Sequence, residues 1–422
     1  MIRFEIPNND PVVQLKNILE ALDLSSLNNV FHYKTKVHPV KLLSVIIYAF
    51  SNKITSTREI ERLCKENIKY MYFLDDCKAP DHTTIWRFMK KCSNIIEDIF
   101  IKFTNELIRR NGISTNTIYI DGTKIETYAN RYSFVWKKAV IKNYTKLSNK
   151  INNLISYTNS YYSKNFKSLN EILSFLSSKN IKQVFGKGHK KTIEQKILEK
   201  SKQFIEKSIE YDKYLKTCGE RNSYSKTDKD ATFMRNGQLK PGYNLQIGVS
   251  SEIIVGCKVF SNPTDVKTLI PFLKHLKSNN VKLNNIVADS GYESFENYEY
   301  IDNNNMVSYI KPVLYEKSKS KKFKNDLNRT ENLIYYSFNN TLKRKDGIEL
   351  IYVKDSKRKN QVEGAFGIIK ESLKLRRLKV RGKENVEREI YFLLMGYNLK
   401  IHMQKINRNR YGIILHKLKE EA

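Results

Sequence analysis

Thr117–Glu126 reads Thr-Ile-Tyr-Ile-Asp-Gly-Thr-Lys-Ile-Glu and joins a short β-rich run to a turn dipeptide. Two isoleucines alternate with Tyr119, a pattern that is typical of a strand. Asp121-Gly122 is a turn signal, so the strand is predicted to end on the carboxylate of Asp121. Considered alone, the stretch fits an ordinary hairpin turn better. An acid at the end of a core strand would, however, be positioned by the sheet and would face solvent or a ligand.

A second stretch repeats this arrangement, and a third acid lies on a later helix. Residues 285–288 form a predicted apolar strand that ends at Asp289, and Glu363 lies on a predicted helix over residues 359–375. The patterns predict the order strand, hairpin, helix, strand, helix, strand and helix, which is the order of an RNase H-like domain. The elements are predicted at residues 117–121, 242–249 with 253–261, 264–278, 285–288, 293–303, 307–311 and 359–375, with a last helix at 387–404.

The remaining residues add three helical segments to this core. Residues 1–35 are predicted to be a lead-in with one helix, and residues 36–112 a helical DNA-binding domain that ends at the stop signal Asn111-Gly112. Within the catalytic domain, residues 113–422, residues 139–220 lack proline and show helical periodicity. They predict an inserted helical hairpin with Gly186-Lys187-Gly188 near its bend. The predicted fold class is α/β: an RNase H-like catalytic domain with a helical insertion, preceded by an all-α N-terminal domain.

The charge of the chain points to a polyanionic partner. Lysine and arginine number 75 against 44 acids, which gives a net charge of 75 − 44 = +31, spread along the whole chain. Nucleic acid is the first candidate for such a protein. A lysine-rich proteome encoded by an AT-rich genome would explain part of the lysine content. It would not explain the shortage of acids.

Cysteine usage and hydropathy indicate the cellular compartment of the protein. The five cysteines form no Cys-x-x-Cys pair, which argues against a disulfide framework or a structural zinc site and favours a reducing cytoplasm. The start of the chain lacks a signal-peptide core, and the longest largely apolar run, residues 42–50, is too short to cross a bilayer. We therefore expect a cytoplasmic, nucleoid-associated protein without a membrane partner.

The three acids suit metal-assisted chemistry. Carboxylates of Asp121, Asp289 and Glu363 are hard oxygen ligands of the kind that Mg²⁺ prefers, with Mn²⁺ as the alternative ion. Two such ions can activate a nucleophile and stabilise the leaving oxygen in an in-line phosphoryl displacement. The alternative is that each acid is an ordinary surface or turn residue.

Basic side chains near these acids are candidates for phosphate contacts. Lys370 is seven residues after Glu363 and so lies on the same helix face, which Lys359 extends. A cationic stripe follows the helix and could contact phosphates or be a solvated loop. Two short helices, with a capping box at Ser56 and a basic second helix, fit either a helix-turn-helix or an ordinary bundle. The full set of candidate DNA-contacting residues is Lys370, Lys359, Arg358, Arg376, Arg377, Arg381, Lys124, Tyr292, Trp136, His82 and Arg87.

From about His38 to its end, the chain resembles bacterial insertion-sequence transposases of the DDE type, in the group with an InsH-like N-terminal helical domain. The stretches that carry this resemblance are residues 70–88, 120–126 with 131–138, 225–231, 236–246, 287–292, 362–370 and 381–382. The resemblance implies the catalytic triad Asp121, Asp289 and Glu363, with Lys370 as the DNA-contacting lysine of the catalytic helix.

The same resemblance implies partners and chemistry. The chain is expected to bind the inverted-repeat ends of its own element as double-stranded DNA, to cleave them, and to transfer the freed 3′-OH groups to target DNA. Both ends must be held together, so a homodimer is expected in the complex. The family signature has Tyr and Arg where this chain has Ser356 and Lys359, and the segment before Glu363 is short. Two alternatives follow: a catalytically inactive, transposase-derived DNA-binding protein, and an RNase H-like nuclease without strand transfer.

Overall fold

The computed structural model describes residues 6–31, 36–75, 77–179, 181–185, 191–235, 239–310, 334–336, 341–343, 349–351 and 377–412. Glu363 lies outside the described residues, as do Arg358, Lys359, Lys370 and Arg376 and the glycines predicted at the bend of the insertion. The chain forms two compact units. The first comprises Met1–Tyr128 and Gly242–Ala422, and the second comprises Ala129–Pro241.

The described part of the chain begins with seven α-helices, which are followed by a mixture of strands and helices. The helices are α1 Pro11–Glu20, α2 Ser25–Val30, α3 Pro39–Ser51, α4 Thr57–Glu66, α5 Ile68–Leu74, α6 His82–Lys91, α7 Ile96–Asn111, α8 Lys137–Tyr162, α9 Leu169–Ser177, α10 Ile193–Cys218, α11 Leu269–Ser278, α12 Phe295–Asn303 and α13 Lys383–Asn407. The strands are β1 Thr117–Glu126, β2 Phe134–Trp136, β3 Ser223–Ser225, β4 Thr232–Arg235, β5 Leu239–Ser250, β6 Ile253–Phe260, β7 Asn285–Ala288, β8 Val307–Ile310, β9 Ile334–Tyr336, β10 Thr341–Lys343 and β11 Glu349–Ile351. The predicted α/β class is confirmed.

Within the first unit the sheet joins β6, β5, β1, β7 and β8 in that spatial order, and β4 is also paired with β5. Strand β5 is antiparallel to both β1 and β6, whereas β1, β7 and β8 are parallel to one another. Two residues with positive φ, Ser251 at 45° and Glu252 at 73°, form the tight connection between β5 and β6. The predicted hairpin is therefore confirmed, with the turn geometry that suits twisted antiparallel strands.

Strand β1 differs from its prediction, because it does not end at Asp121-Gly122. It continues to Glu126, and Gly122 is paired opposite Gln246 of β5. The dipeptide was interpreted as a turn from local sequence alone, but the ladder with β5 holds it extended. Gly122 is needed for a different reason, the close approach of neighbouring side chains, which is described below with the site.

Helix α13 is the centre of the first unit. It packs against α3, α7 and β6 and is buried on nearly all sides. The side chain of Asn398 takes the place of a neighbouring strand: its Oδ1 accepts from Ile254 N at 3.0 Å, and its Nδ2 donates to Ile254 O at 2.9 Å. These two bonds satisfy backbone groups of β6 that would otherwise be buried without partners.

Several predicted helix boundaries shift. Helix α2 was not predicted within residues 1–35, and α11 begins five residues later than the predicted start at residue 264. Ser56 is the N-cap of α4, as the capping box predicts, but its side chain makes no capping hydrogen bond. Among the described residues, no helix is long and apolar enough to span a membrane.

The described part of the second unit contains three helices rather than the predicted two. Helix α10 packs against α8 and α9, around a core that includes Leu154, Ile172 and Ile197. Helix α9 was not predicted, because its nine residues lie in a segment rich in serine and asparagine. Strands β2 and β3 pair antiparallel at the base of α8.

Candidate active site

The parallel register of β1 and β7 brings two of the predicted catalytic acids together. Thr117 is paired with Asn285, an offset of 285 − 117 = 168 residues, and this offset holds through Tyr119 and Val287. Two residues further along each strand lie Asp121 and Asp289, which have the same offset, 289 − 121 = 168. Residues that share a register position on neighbouring parallel strands lie side by side.

Both acids also point to the same side of the sheet. Ile120 and Ala288 belong to the core cluster beneath α11 and α12. Side chains alternate along a strand, so the next residue of each chain turns away from that core. Asp289 lies just beyond β7 but remains extended, with φ −87° and ψ 177°. Its carboxylate accepts a hydrogen bond from Gly291 N at 2.7 Å, which fixes the start of the turn that follows.

A third carboxylate, Asp265, lies at this edge of the sheet. Its Oδ1 accepts from Asn244 Nδ2 at 2.7 Å and from Gln246 Nε2 at 2.9 Å, both on β5. The sequence predicted only that Asp265 would lie at the start of the helix over residues 264–278. The structure corrects this prediction: α11 is capped at Thr268, and the carboxylate of Asp265 is used to bind two buried amides of the central sheet.

Two glycines allow Asp265 to fit between the strand ends. A Cβ on Gly122 would lie 2.5 Å from Asp265 Oδ1 and 2.3 Å from Gln246 Nε2. A Cβ on Gly291 would lie 2.9 Å from Asp289 Oδ1 and 3.7 Å from Asp265 Oδ2. Asp265 therefore contacts the backbone immediately after Asp121 and shortly after Asp289. It links the two segments that carry the predicted catalytic acids.

Tyr292 is a buried member of this hydrogen-bond network rather than a surface residue. Its side chain is 0% exposed, and its hydroxyl donates to Gln246 Oε1. Burial raises the pKa of Tyr292 well above its usual value, and the negative charges of Asp265, Asp121 and Asp289 raise this pKa further. The phenol thus stays protonated and orients the Gln246 amide. This placement corrects the prediction that Tyr292 contacts DNA, because a fully buried ring has no surface to offer.

The donor set at the strand ends fits a hard divalent cation. Mg²⁺ is commonly bound through one or two carboxylates together with substrate phosphates, and Asp121 and Asp289 provide two adjacent carboxylates. Within the described ranges, no group of three or more His, Cys, Asp or Glu residues is arranged to hold a metal ion. The third predicted ligand, Glu363, falls outside those ranges.

Two of the predicted DNA-contacting arginines lie together beside the end of β1. Residue 378 donates its N–H to Glu126 O at 2.8 Å, which attaches the basic segment to this strand. Arg377 and Arg381 place their guanidinium groups 5.5 and 5.3 Å from the centre of the exposed Tyr128 ring. Arg381 also donates to Tyr128 O. The result is an exposed cationic and aromatic surface next to the strand that carries Asp121.

The other predicted DNA-contacting residues are spread over the molecule. His82 uses both its ring Nδ1 and its backbone N–H on Glu61 Oε2, each at 2.9 Å, and so connects α6 to α4. Arg87 is exposed on α6, and Lys124 is half-buried in β1. Trp136 belongs to the second unit, where its ring is 40% exposed and lies against two phenylalanines.

The residues that the sequence analysis missed are polar side chains inside the sheet. Asn244 and Gln246 alternate with apolar residues along β5, a pattern that normally indicates a solvated face, yet both are 0% exposed. A buried amide must find partners. The signal that could have identified these residues is the combination of two amides in one strand with a glycine in the strand that pairs with it. This combination indicates that polar side chains closely approach the neighbouring backbone.

Two protein-family models match the chain. The family model described as a transposase DDE domain matches residues 213–399, and the model described as a transposase domain (DUF772) matches residues 2–91. No curated protein matches the chain. A solved structure of the piggyBac transposase synaptic complex with hairpin DNA is similar at 8% identity and a TM-score of 0.38, over 97% of this chain and 77% of that chain. Both family matches are to transposase domains, and the two together are typical of bacterial insertion-sequence DDE transposases.

Proposed function

We propose that this transposase binds the inverted-repeat ends of its insertion sequence and catalyses metal-dependent phosphodiester cleavage and strand transfer there. The observation that supports this most directly is the parallel register of β1 and β7, which brings Asp121 and Asp289 to the same position when it is continued by two residues. Two carboxylates that lie side by side repel each other, and a divalent cation bound by both would offset this repulsion.

We infer further that the sheet of the first unit belongs to an RNase H-like domain. Three antiparallel strands followed by two parallel ones, in the order β6–β5–β1–β7–β8, support this inference. In such a domain the first strand and the fourth strand lie next to each other, which is where β1 and β7 carry Asp121 and Asp289. The domain limits stay proposals: a helical DNA-binding part at residues 36–112 and a catalytic part at residues 113–422 with an insertion at 139–220.

Asp121, Asp289 and Glu363 would hold Mg²⁺, or Mn²⁺, as a pair of ions. When bound, such ions lower the pKa of a coordinated water and stabilise the charge that develops on the leaving oxygen. The network of Asp265, Gln246 and Tyr292 keeps the two strand ends at a constant separation. Preorganised ligands of this kind avoid the cost of rearrangement during the reaction.

The reaction has two displacements at phosphorus. In the first, a water oxygen bonds to the phosphorus at the element end, the bond from phosphorus to the 3′ oxygen breaks, and that oxygen leaves as a 3′-OH after taking up a proton. In the second, the oxygen of this hydroxyl bonds to a target phosphorus, the bond from that phosphorus to the target's own 3′ oxygen breaks, and the released 3′ oxygen takes up a proton. Glu363 is the proposed acceptor for the proton that the attacking hydroxyl loses. Lys370 would contact a phosphate beside the catalytic helix.

The exposed surface of Arg377, Arg381 and Tyr128 would bind DNA close to the reacting phosphate. Guanidinium groups pair with phosphate oxygens in a bidentate geometry. The stacked Tyr128 ring limits the rotamers of both arginines, so less conformational entropy is lost on binding. Because both ends of the element must be cut in one assembly, we propose that the protein is a homodimer in the DNA complex.

The test is Mg²⁺-dependent nicking of a duplex that contains the element end, followed by joining of the cut end to a plasmid. We expect Asp121→Asn and Asp289→Asn each to lower the rate at least about 100-fold, because a charged ligand is lost while the shape is kept. Nicking that survives Asp121→Asn would overturn the assignment of the acids.

A second candidate function, an inactive DNA-binding protein, is favoured by the replacement of the signature Tyr and Arg by Ser356 and Lys359. It predicts that the end-containing duplex is bound but never cut, with either ion. Cutting without joining to the plasmid would instead identify a nuclease.

A further inference from the structure

Helix α8 of the second unit carries charge of one sign only. Its 26 residues include five lysines and no aspartate or glutamate. Helix α10, which packs against it and has the same length, includes six lysines and five acids. A general bias toward lysine would affect both helices alike. The difference between them therefore points to a specific requirement at α8.

Four of the lysines form a regular exposed stripe. Lys138, Lys142, Lys146 and Lys150 recur every four residues, and all four are exposed. Each step of four residues turns about 40° around the helix, so neighbours in the stripe lie on one continuous face. The buried stripe of the helix, Val140, Leu147, Leu154 and Thr158, begins on the opposite side. The fifth lysine, Lys137, is used structurally, since its Nζ donates to Gly219 O at 2.7 Å.

The stripe has a cost that the fold of the unit does not offset. Like charges four residues apart on a helix are destabilising by roughly 0.2–0.5 kcal/mol per pair. Among the described residues, the structure gives none of the four lysines a salt bridge, whereas Lys191, just before α10, is paired with Glu199 at 2.8 Å. A row of cations that no acid of the unit neutralises is suited to an external anion with regularly spaced charges.

Two tyrosines extend the same face beyond the lysines. Tyr157 and Tyr161 are 50% and 47% exposed, and their rings stack at 6.4 Å between centroids. At 1.5 Å per residue, the lysines span about 18 Å and the face from Lys138 to Tyr161 about 35 Å. With one base pair per 3.4 Å, that is roughly ten base pairs of duplex. Tyrosine hydroxyls are common donors to phosphate oxygens.

We propose that this α8 face, Lys138, Lys142, Lys146, Lys150, Tyr157 and Tyr161, binds the sugar-phosphate backbone of duplex DNA. The inference rests on the proposed function in taking DNA as the partner. It assigns to the second unit a binding surface that contacts phosphates without reading bases. Because base edges are not contacted, this surface binds end-containing and unrelated duplexes with similar strength.

The experiment measures the binding of the full chain to a 30-base-pair duplex of random sequence over a series of NaCl concentrations. Each neutralised phosphate contributes about −0.9 to the slope of log K against log salt concentration. Replacing all four lysines by glutamine (K138Q, K142Q, K146Q and K150Q) should make the slope less steep by about 3 to 4, and should weaken binding on the order of 100-fold at low salt.

A matched variant controls for net charge. Lys196, Lys200, Lys207 and Lys213 of α10 are also exposed, and their replacement by glutamine changes the charge of the same unit by the same amount. We expect this control to change the slope by less than about 1. Circular dichroism of both variants checks that the helices are retained.

Equal slopes for the two variants would overturn the proposal. It would also be overturned if replacement of the four α8 lysines lowered the affinity for a duplex RNA of the same sequence more than the affinity for the duplex DNA. The proposed function is tested separately by nicking at the element end. A wild-type protein that fails to nick but shows the α8-dependent slope would contradict the proposed function and leave the α8 surface standing.

Discussion

At the scale of single residues, the site depends on the absence of a side chain at Gly122. Gly122 lies in the extended strand β1, paired with Gln246, and its φ is not positive. Its missing side chain is the relevant property, since the space is filled by Gln246 and Asp265. The dipeptide Asp121-Gly122 could be recognised in the sequence, but a turn and a close packing contact both favour glycine. Only the partner strand distinguishes them.

Gly122→Ala should therefore destabilise the protein by about 1–3 kcal/mol, the usual cost of overpacking a filled site. The added methyl group would displace the Gln246 amide and break its bonds to Asp265. The measurement is the free energy of unfolding from urea denaturation. Gln246→Ala removes the nearest atom, so in that background the same substitution should cost less. An alanine variant as stable as the wild type would show that the position tolerates a side chain.

His402 gives the fold a dependence on pH. Burial, assisted by the charge of Arg110, lowers the pKa of His402 to about 4. The Nδ1 of the neutral ring is hydrogen-bonded to the side-chain amide of Asn111, 3.0 Å from its Nδ2 and 3.2 Å from its Oδ1, between α13 and α7. A folded pKa below the unfolded value of about 6.5 means that the unfolded chain binds the proton more readily. Stability should thus be complete above about pH 6.5 and fall as the pH drops toward 4.

The expected loss is on the order of 3 kcal/mol, with a slope of up to about 1.4 kcal/mol per pH unit. His402→Gln cannot take up this proton, so the variant should lack that part of the slope between pH 6.5 and 4. The free energy of unfolding, measured at several pH values for both proteins, gives the difference. Parallel curves for the two would refute the assignment.

At the scale of elements, periodicity predicted the elements whose burial follows a simple rule. Strand β7 was predicted with its observed bounds, because a short apolar run between polar segments has few other interpretations. The β5–β6 hairpin and the helical stretch of α13 were recognised for similar reasons. The failures have a common physical origin, because they depend on residues distant in sequence: β1 continues past a turn signal by pairing with β5, and Asp265 serves the sheet rather than α11.

The role of α13 leads to a prediction about the edge of the sheet. Asn398 satisfies both the N–H and the C=O of Ile254, and Nδ2 also donates to Thr104 Oγ1 at 3.2 Å. Asn398→Leu keeps the approximate size but leaves buried backbone groups unpaired, at about 1–3 kcal/mol for each group. We expect a loss of about 2–5 kcal/mol in the free energy of unfolding.

The matched control is Asn407→Leu, an exposed position at the end of the same helix. It should change the stability by less than about 0.5 kcal/mol, as is usual for surface substitutions. Hydrogen exchange of the Ile254 amide adds a local measurement, since its protection should fall only in the Asn398 variant. Similar stabilities of the two variants would argue against the pairing.

At the scale of the whole molecule, charge and the distribution of acids are the informative properties. The net charge of +31 indicated a nucleic-acid partner from the sequence. The sequence could also identify Asp121 and Asp289 as candidate catalytic residues, because each one directly follows a short predicted strand. It could not show that they share a register position. That requires the pairing of β1 with β7 across 168 residues, most of which belong to the second unit and the β5–β6 hairpin.

The shared position leads to a prediction about metal and stability. A cation that binds the folded chain alone stabilises it by RT ln(1 + [L]/Kd), or about 1.4 kcal/mol at ten times the dissociation constant. We expect Mg²⁺ to raise the melting temperature of the wild type at constant ionic strength, and chelation to reverse the effect. Asp121→Asn should lose most of this stabilisation, since one of two adjacent ligands is gone. Asp302→Asn, at an exposed position of α12 in the same unit, should keep it. Equal stabilisation of both variants would place the metal elsewhere and separate the family assignment from the proposed site.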